Sequence, residues 1–451
     1  MRLAAHARLL AGLAFALATL AGCASPPPRY LMGAYRLDDG RLVSIRAEEK
    51  KDLRYREYGS GSSGRLHRHR RLRYISGAGF SSRAPVRLTV DFKVDEDGTA
   101  QRLIWNEEGH AVESAGRVGV EERVSFAAGD TSLAGRIDLP DGPGPHPAVV
   151  LVNDSDDRAA TDYYYAGDFL APNGVATLTF DARDPTRGKS EGVSGFAGLA
   201  EDVVAAVQYL HSRSDIDPSG IGLCAYGRGG WVAPLAASMT GDVSFIIINC
   251  GVVESPAEAT VLKTRNLLRA RGVGERALDD VDSLTSAAVG VIASGFKEWA
   301  EFDRLKNKYR DAEWKRDLKG TVTDDLLTYP HFVLKLIGPL MAPSPPDWYY
   351  NSRALLEEMD VPMAWLLAGE DESAPSDSTV VELRRMRAEG KPYEVIVFPG
   401  ADHSMVLCSE DAGVRVCTGY AKDYFKDVVE CARRLAGIDG GPERTAGGLQ
   451  M

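Results

Sequence analysis

Ile221-Gly222-Leu223-Cys224-Ala225-Tyr226-Gly227-Arg228-Gly229-Gly230-Trp231 is the stretch on which the reading of this chain turns. An apolar run stops at Tyr226, three glycines fall within four positions, and a helix-forming run follows. That is a strand entering a tight turn and leaving as a helix, with glycine where backbone must bend sharply or approach closely. Similar uninterrupted runs occur at Ala148–Val152, Val175–Phe180, Val243–Asn249, Met363–Ala368 and Tyr393–Phe398. Runs of that kind read as strands buried on both faces. Helical patterns lie between them at Asp162–Pro172, Phe196–Ser212, Gly229–Met239, Ser376–Ala388 and Tyr420–Leu435. Parallel neighbours need crossover connections, so the alternation predicts an α/β fold with a doubly wound, mostly parallel sheet. Two further strands, near Glu121–Phe126 and Ser132–Leu139, precede it. A charge-rich, helix-forming block at 254–350 interrupts the rhythm and is expected to be a helical lid. The core is therefore assigned to 118–253 and 351–437, and the Gly-rich 438–451 to a disordered tail.

The front of the chain has a different texture. Residues 30–117 show short alternating runs punctuated by Asp38-Asp39-Gly40 and Asp95-Glu96-Asp97-Gly98, both hairpin signals, and predict a small all-β domain. Gly59-Ser60-Gly61-Ser62-Ser63-Gly64 reads as a flexible loop. Arg65–Arg73, with five arginines and two histidines, reads as the solvated side of a strand in preference to an anion-binding patch. The 451 residues carry a formal charge of −11, which argues against a protein that coats nucleic acid. Residues 29–118 hold 18 Lys and Arg against 13 Asp and Glu, while 119–451 carry −18. A basic front piece and an acidic body are expected to fold separately.

At the N-terminus, Arg2 and Arg8 precede twelve apolar or small residues, Leu9–Leu20. That matches an export signal and falls short of the ~20 residues that span a bilayer. Leu20-Ala21-Gly22-Cys23 resembles the bacterial lipobox, which implies that residues 1–22 are removed and Cys23 is acylated. Ala24-Ser25 points to outer-membrane sorting, and 23–29, with Pro26-Pro27-Pro28, is a stiff tether. Export implies an oxidising compartment, and Cys408 with Cys417 is the expected disulfide.

Phe180-Asp181-Ala182-Arg183 with Gly188-Lys189-Ser190, Leu367-Ala368-Gly369-Glu370-Asp371-Glu372 and Phe398-Pro399-Gly400-Ala401-Asp402-His403 complete the pattern begun at the glycine turn. From about 118 to 437 the chain resembles the α/β-hydrolase superfamily, in particular exported bacterial esterase- or acyl-peptidase-like members. Elbow, acid and histidine follow in the family's order. The resemblance implies His403 as base and Asp371 as the carboxylate that orients it, with Glu372 as the rival acid. It also implies a nucleophile on the elbow and an oxyanion hole built from two backbone N–H groups.

The nucleophile is missing. Where the family has Gly-x-Ser-x-Gly, this sequence has Ala225-Tyr226-Gly227-Arg228-Gly229, and glycine has nothing with which to form an acyl intermediate. The oxyanion positions fall on Arg228 and Asp154; the usual His-Gly is Asn153-Asp154, a carboxylate where negative charge would develop. The expectation is a degenerate hydrolase that binds a small acyl- or ester-like ligand or a protein partner. Its membrane contact would run through the lipid anchor, with no nucleic acid bound. The alternative keeps an enzyme: His403 and Asp371 activate water, or a displaced Ser155 or Ser190 serves as nucleophile. No Cys-x-x-Cys, His-Glu-x-x-His or Gly-x-x-x-x-Gly-Lys-Ser/Thr occurs, and neither metal nor cofactor is expected.

Overall fold

The computed structural model describes residues 28–48, 52–152, 164–182, 195–341, 347–411 and 414–438. The leader with Cys23, the loop carrying Asp154 and Ser155, the segment 183–194 with Ser190, and the tail from 439 lie outside them.

The front strands are β1 (Gly33–Leu37), β2 (Leu42–Glu48), β3 (Asp52–Glu57), β4 (Ser63–Arg68), β5 (Arg73–Gly77), β6 (Val86–Val94), β7 (Ala100–Glu107) and β8 (His110–Val118). Each pairs antiparallel with the next, and β8 returns to β1, closing an eight-stranded barrel. Closure removes the open edge that a free sheet would expose. Alternate residues, among them Tyr35, Val43, Ile45, Leu53, Val90 and Trp105, fill its interior. Both expected hairpin turns are present, with Gly40 (φ 89°) and Gly98 (φ 81°) taking the left-handed positions. The stretch read as a flexible loop is a short turn leading into β4. It docks on the second unit, the Tyr420 N–H donating to the Gly61 carbonyl at 2.9 Å. In the arginine-rich run, Arg65 pairs with Glu48 and Arg73 with Asp91, as the solvated-strand reading requires.

The second sheet holds β9 (Val120–Ala128), β10 (Thr131–Leu139), β11 (His146–Val152), β12 (Ala176–Phe180), β13 (Ile216–Tyr226), β14 (Phe245–Asn249), β15 (Met363–Ala368) and β16 (Tyr393–Phe398). Its order is β16-β15-β14-β13-β11-β12-β10-β9. All pairings from β12 through β16 are parallel, and β9 and β10 are antiparallel. Helices α1 (Gly167–Leu170), α2 (Phe196–His211), α3 (Gly229–Ser238), α4 (Pro256–Ala270), α5 (Glu275–Ala293), α6 (Ala300–Lys308), α7 (Val322–Thr328), α8 (His331–Met341), α9 (Ser352–Glu358), α10 (Asp377–Ala388) and α11 (Tyr424–Leu435) complete the unit. Phe196, Val207, Val232 and Leu383 fill one face of the sheet, and Phe169, Phe425 and Val428 the other. Helices α4–α8 surround a core of their own around Leu278, Leu284, Phe302 and Trp314. Among the described residues no helix is long and apolar enough to cross a membrane.

Two expected helices are corrected. The described part of the first reduces to one turn, α1, followed by a 3-10 turn at Ala171–Asn173. The last begins at Tyr424, because Val414–Tyr420 alternates as strand β18 against β17 (Val406–Asp411). Cys408 and Cys417 face each other in that hairpin and form the disulfide; Cys224, Cys250 and Cys431 are free and buried.

Barrel and sheet meet across a buried ionic seam. Arg46 of β2 donates through Nε to Asp168 Oδ2 at 2.8 Å and through Nη1 to Glu121 Oε2 at 2.9 Å, with Asp138 at 3.6 Å. Burial alone would raise the Glu121 carboxyl; Arg46, Arg136 and Arg117 override it and hold it at about 2. Tyr58 adds an apolar contact, its ring 4.8 Å from Phe425 and 5.1 Å from Phe169. Arg46→Met is expected to strand these carboxylates and cost about 3–5 kcal/mol in urea unfolding. Because the Glu121 value is depressed on folding, its contribution is present above about 4.3 and lost as pH falls towards 2. The deficit of the variant relative to wild type should therefore be largest above about pH 4.3 and shrink as pH falls towards 2, where wild type loses the same contribution.

Candidate functional site

Strand β13 ends at Tyr226, and Gly227 takes φ 48°, a left-handed conformation that strains any residue with a Cβ. Its N–H donates to the Asn249 carbonyl at 2.9 Å, and its own carbonyl accepts from the Gly230 N–H at 2.9 Å. Strand, tight turn and helix follow one another here with glycine at the apex. A Cβ at Gly229 would collide with the Val152 carbonyl oxygen, and one at Gly230 would lie 3.1 Å from Gly251 Cα. Those two glycines let α3 sit down on β11 and β14. Arg228 follows Gly227 directly as the residue capping α3, where the sequence reading put one oxyanion donor.

Beyond β15, Asp371 is buried in a tight loop. Its Oδ1 accepts from the Ser373 and Ala374 N–H groups at 2.9 and 2.7 Å, and its Oδ2 lies 2.8 Å from His403 Nδ1. Glu372, the rival acid, is exposed. The histidine loop is organised by Asp402, whose Oδ1 accepts from Ser404 and Val406 N–H at 2.9 and 3.0 Å. Asp402 Oδ2 is 2.6 Å from Arg415 on β18. This pinning leaves the His403 side chain 30% exposed while its partner is 1% exposed. Asp371 Oδ2, as acceptor to Nδ1–H, fixes the ring's orientation and favours the tautomer whose lone pair is on Nε2.

Beside the pair stands Cys250, directly after β14, buried and at φ 52°. Its Sγ, a His403 ring nitrogen and an Asp371 oxygen all lie within 4.8 Å of one another. Both Asp371 oxygens are already engaged, so the arrangement is an acid–base pair with a thiol alongside. Farther down β13, burial pushes the Cys224 thiol up to about 12, which makes it a packing residue.

Gly227, His403 and Cys250 open on one cavity of about 360 Å³. Tyr164, Tyr165, Tyr226, Tyr420 and Tyr424 supply aromatic wall from the sheet side, and Glu48, Arg54, Arg56 and Phe80 supply the wall from the barrel. None of the described lining residues comes from 254–350.

The alpha/beta hydrolase family model matches residues 149–416, more than half of the chain. The chain belongs to the alpha/beta hydrolase family. No curated protein matches it. Among solved structures it is similar to the acylaminoacyl peptidase of Pyrococcus horikoshii, at 11% identity and a TM-score of 0.43 over 92% of this chain and 58% of that one. It is also similar to a 2,6-dihydroxy-pseudo-oxynicotine hydrolase, at 17% identity and TM-score 0.39 over 70% of this chain and 67% of that one. An acetyl xylan esterase from Paenibacillus sp. R4 gives 14% identity and TM-score 0.37 over 70% and 83%. The chain thus spans less than two thirds of the peptidase's length.

For this hydrolase-family chain, sequence reasoning overlooked the barrel wall. Arg54 and Arg56 alternate with Leu53 and Tyr55, which places them on the outer face of β3; nothing in the alternation says what covers that face. Cys250 gave no signal beyond its place at a strand end. Gly229→Ala is expected to lower stability by about 1–3 kcal/mol through overpacking, measured by chemical denaturation.

Proposed function

We propose that this chain is an exported, lipid-anchored member of the alpha/beta hydrolase family that has lost acyl transfer and holds a small acyl-type ligand in the cavity beside His403. The observation that carries the reading is Gly227: at the apex of the elbow there is no atom to attack a carbonyl. In a triad that works as a unit, loss of the nucleophile removes on the order of 10⁶ in kcat. Asn153-Asp154 in the second oxyanion segment supports the same conclusion, since a carboxylate opposes a developing oxyanion. Helices α4–α8, inserted between β14 and β15, serve in this reading as a lid. Export and anchorage rest on the leader and Cys23, and the Cys408–Cys417 disulfide is consistent with them. Mass spectrometry of the membrane fraction tests this directly: an acylated N-terminal Cys23 is the expected species.

A second reading has one specific observation behind it, the ordered His403–Asp371 pair. A base so held can deprotonate a water or substrate hydroxyl in the space above Gly227, giving hydrolysis without a covalent intermediate. The two readings part on turnover. Under the first, ester, lactone and thioester hydrolysis stays at background and is unchanged in His403→Ala; under the second, that variant abolishes a measurable rate. A fluorophosphonate probe is expected to leave the wild-type chain unlabelled. An adduct on any cavity residue, Cys250 included, would overturn both.

A further inference from the structure

Four arginines of the described chain are buried: Arg46, Arg54, Arg56 and Arg136. Three are met by carboxylates. Arg46 faces Asp168, Arg136 faces Asp138 at 3.0 Å, and Arg54 faces Glu48 at 3.0 Å. Arg56 has no such partner. Its Nε donates to the Tyr420 hydroxyl at 3.0 Å and its guanidinium lies 3.8 Å over the Tyr165 ring. Its Nη1 is buried with no hydrogen-bond partner at all. The acidic residue that shares the cavity with it, Glu48, is already held by Arg54 and, at 3.1 Å, by Arg65.

A guanidinium stays charged at any pH a protein tolerates. Buried and unpaired, it is costly, and a tyrosine ring and a hydroxyl offset only part of that cost. Its planar fork matches a carboxylate through two parallel hydrogen bonds. Arg56 lines the same cavity as Gly227 and His403, and the remaining wall is largely aromatic. The volume, about 360 Å³, lies within the range of small-molecule sites.

We propose that Arg56 is the anchor for the carboxylate of the cavity's ligand, a small organic acid with an aromatic or acyl body. The proposal deepens the reading of a ligand-holding cavity and rests on it. In this arrangement the hydrolase core gives the cavity its floor, and the barrel decides what charge the ligand must carry.

The test uses the full chain and two matched pairs of probes: N-acetylphenylalanine and its primary amide, and 4-phenylbutyrate and its primary amide. Calorimetric titration is expected to show at least one acid binding and its amide binding about 10- to 100-fold more weakly. Arg56→Met is expected to erase that preference while melting, without ligand, at the wild-type temperature or higher, because a stranded charge has gone. Equal binding of acid and amide, undiminished acid binding by Arg56→Met, or an unliganded variant that melts well below wild type would each overturn the proposal. Failure of both acids to bind the wild-type chain overturns it too; binding of the amides alone would leave the ligand-holding reading standing, and the loss of acyl transfer is judged separately by the fluorophosphonate and turnover measurements.

Discussion

Arg46 carries a charge that it cannot shed, and it sits where water does not reach. The carboxylates that meet it belong to β9, β10 and α1, so the barrel and the sheet can bury this cluster only in one mutual arrangement. An ionic seam of this kind gives orientation more than net stability, because desolvation consumes much of the attraction. The Tyr58 contacts with Phe169 and Phe425 supply apolar burial alongside it. With the barrel so fixed, β3 lies against the carboxyl ends of the parallel strands, where open α/β sheets hold their ligands. Arg56 reaches the His403 cavity as a consequence of where Arg46 is held.

Gly227 and Gly229 stand two residues apart and are held for different reasons. Gly227 keeps the left-handed turn, and its N–H remains tied to the end of β14. Glycine occupies that conformation with less strain than any residue with a Cβ, so the turn favours it although no packing contact demands it. Gly229 is different, since a Cβ there would meet backbone. Of the two nearby glycines, one is demanded by packing and the other is permitted by the turn.

Much of this could be read from residues alone, and the reasons are physical. Strands buried on both faces write uninterrupted apolar runs, so β11 to β16 were legible, as was the order of elbow, acid and histidine. Closure of the barrel was not, because the Ala34–Val118 pairing joins residues more than eighty apart and leaves no local mark. The last helix begins four residues later than the Tyr420 expected for it, because Tyr420 closes strand β18. Arg56 was invisible as a site residue for a deeper reason. An outward position on a strand carries the same polar signature whether water or another domain covers it, and only the docking of Gly61 against Tyr420 reveals which.

The intact His403–Asp371 pair invites the inference that catalysis survives, but folding energetics account for it equally well. Asp371 is buried as a carboxylate, accepting from two backbone N–H groups and facing the imidazole. Removing the histidine would take away one of three polar partners from a buried charged group, at a cost of roughly 1–3 kcal/mol or more. A loop built around such a group holds its histidine whether or not a proton is ever transferred. Persistence of the pair therefore permits the second reading without requiring it. The unpaired Arg56 is not explained in this way: an unmet buried charge is a cost to the empty fold, and an anion in the cavity is what would remove it.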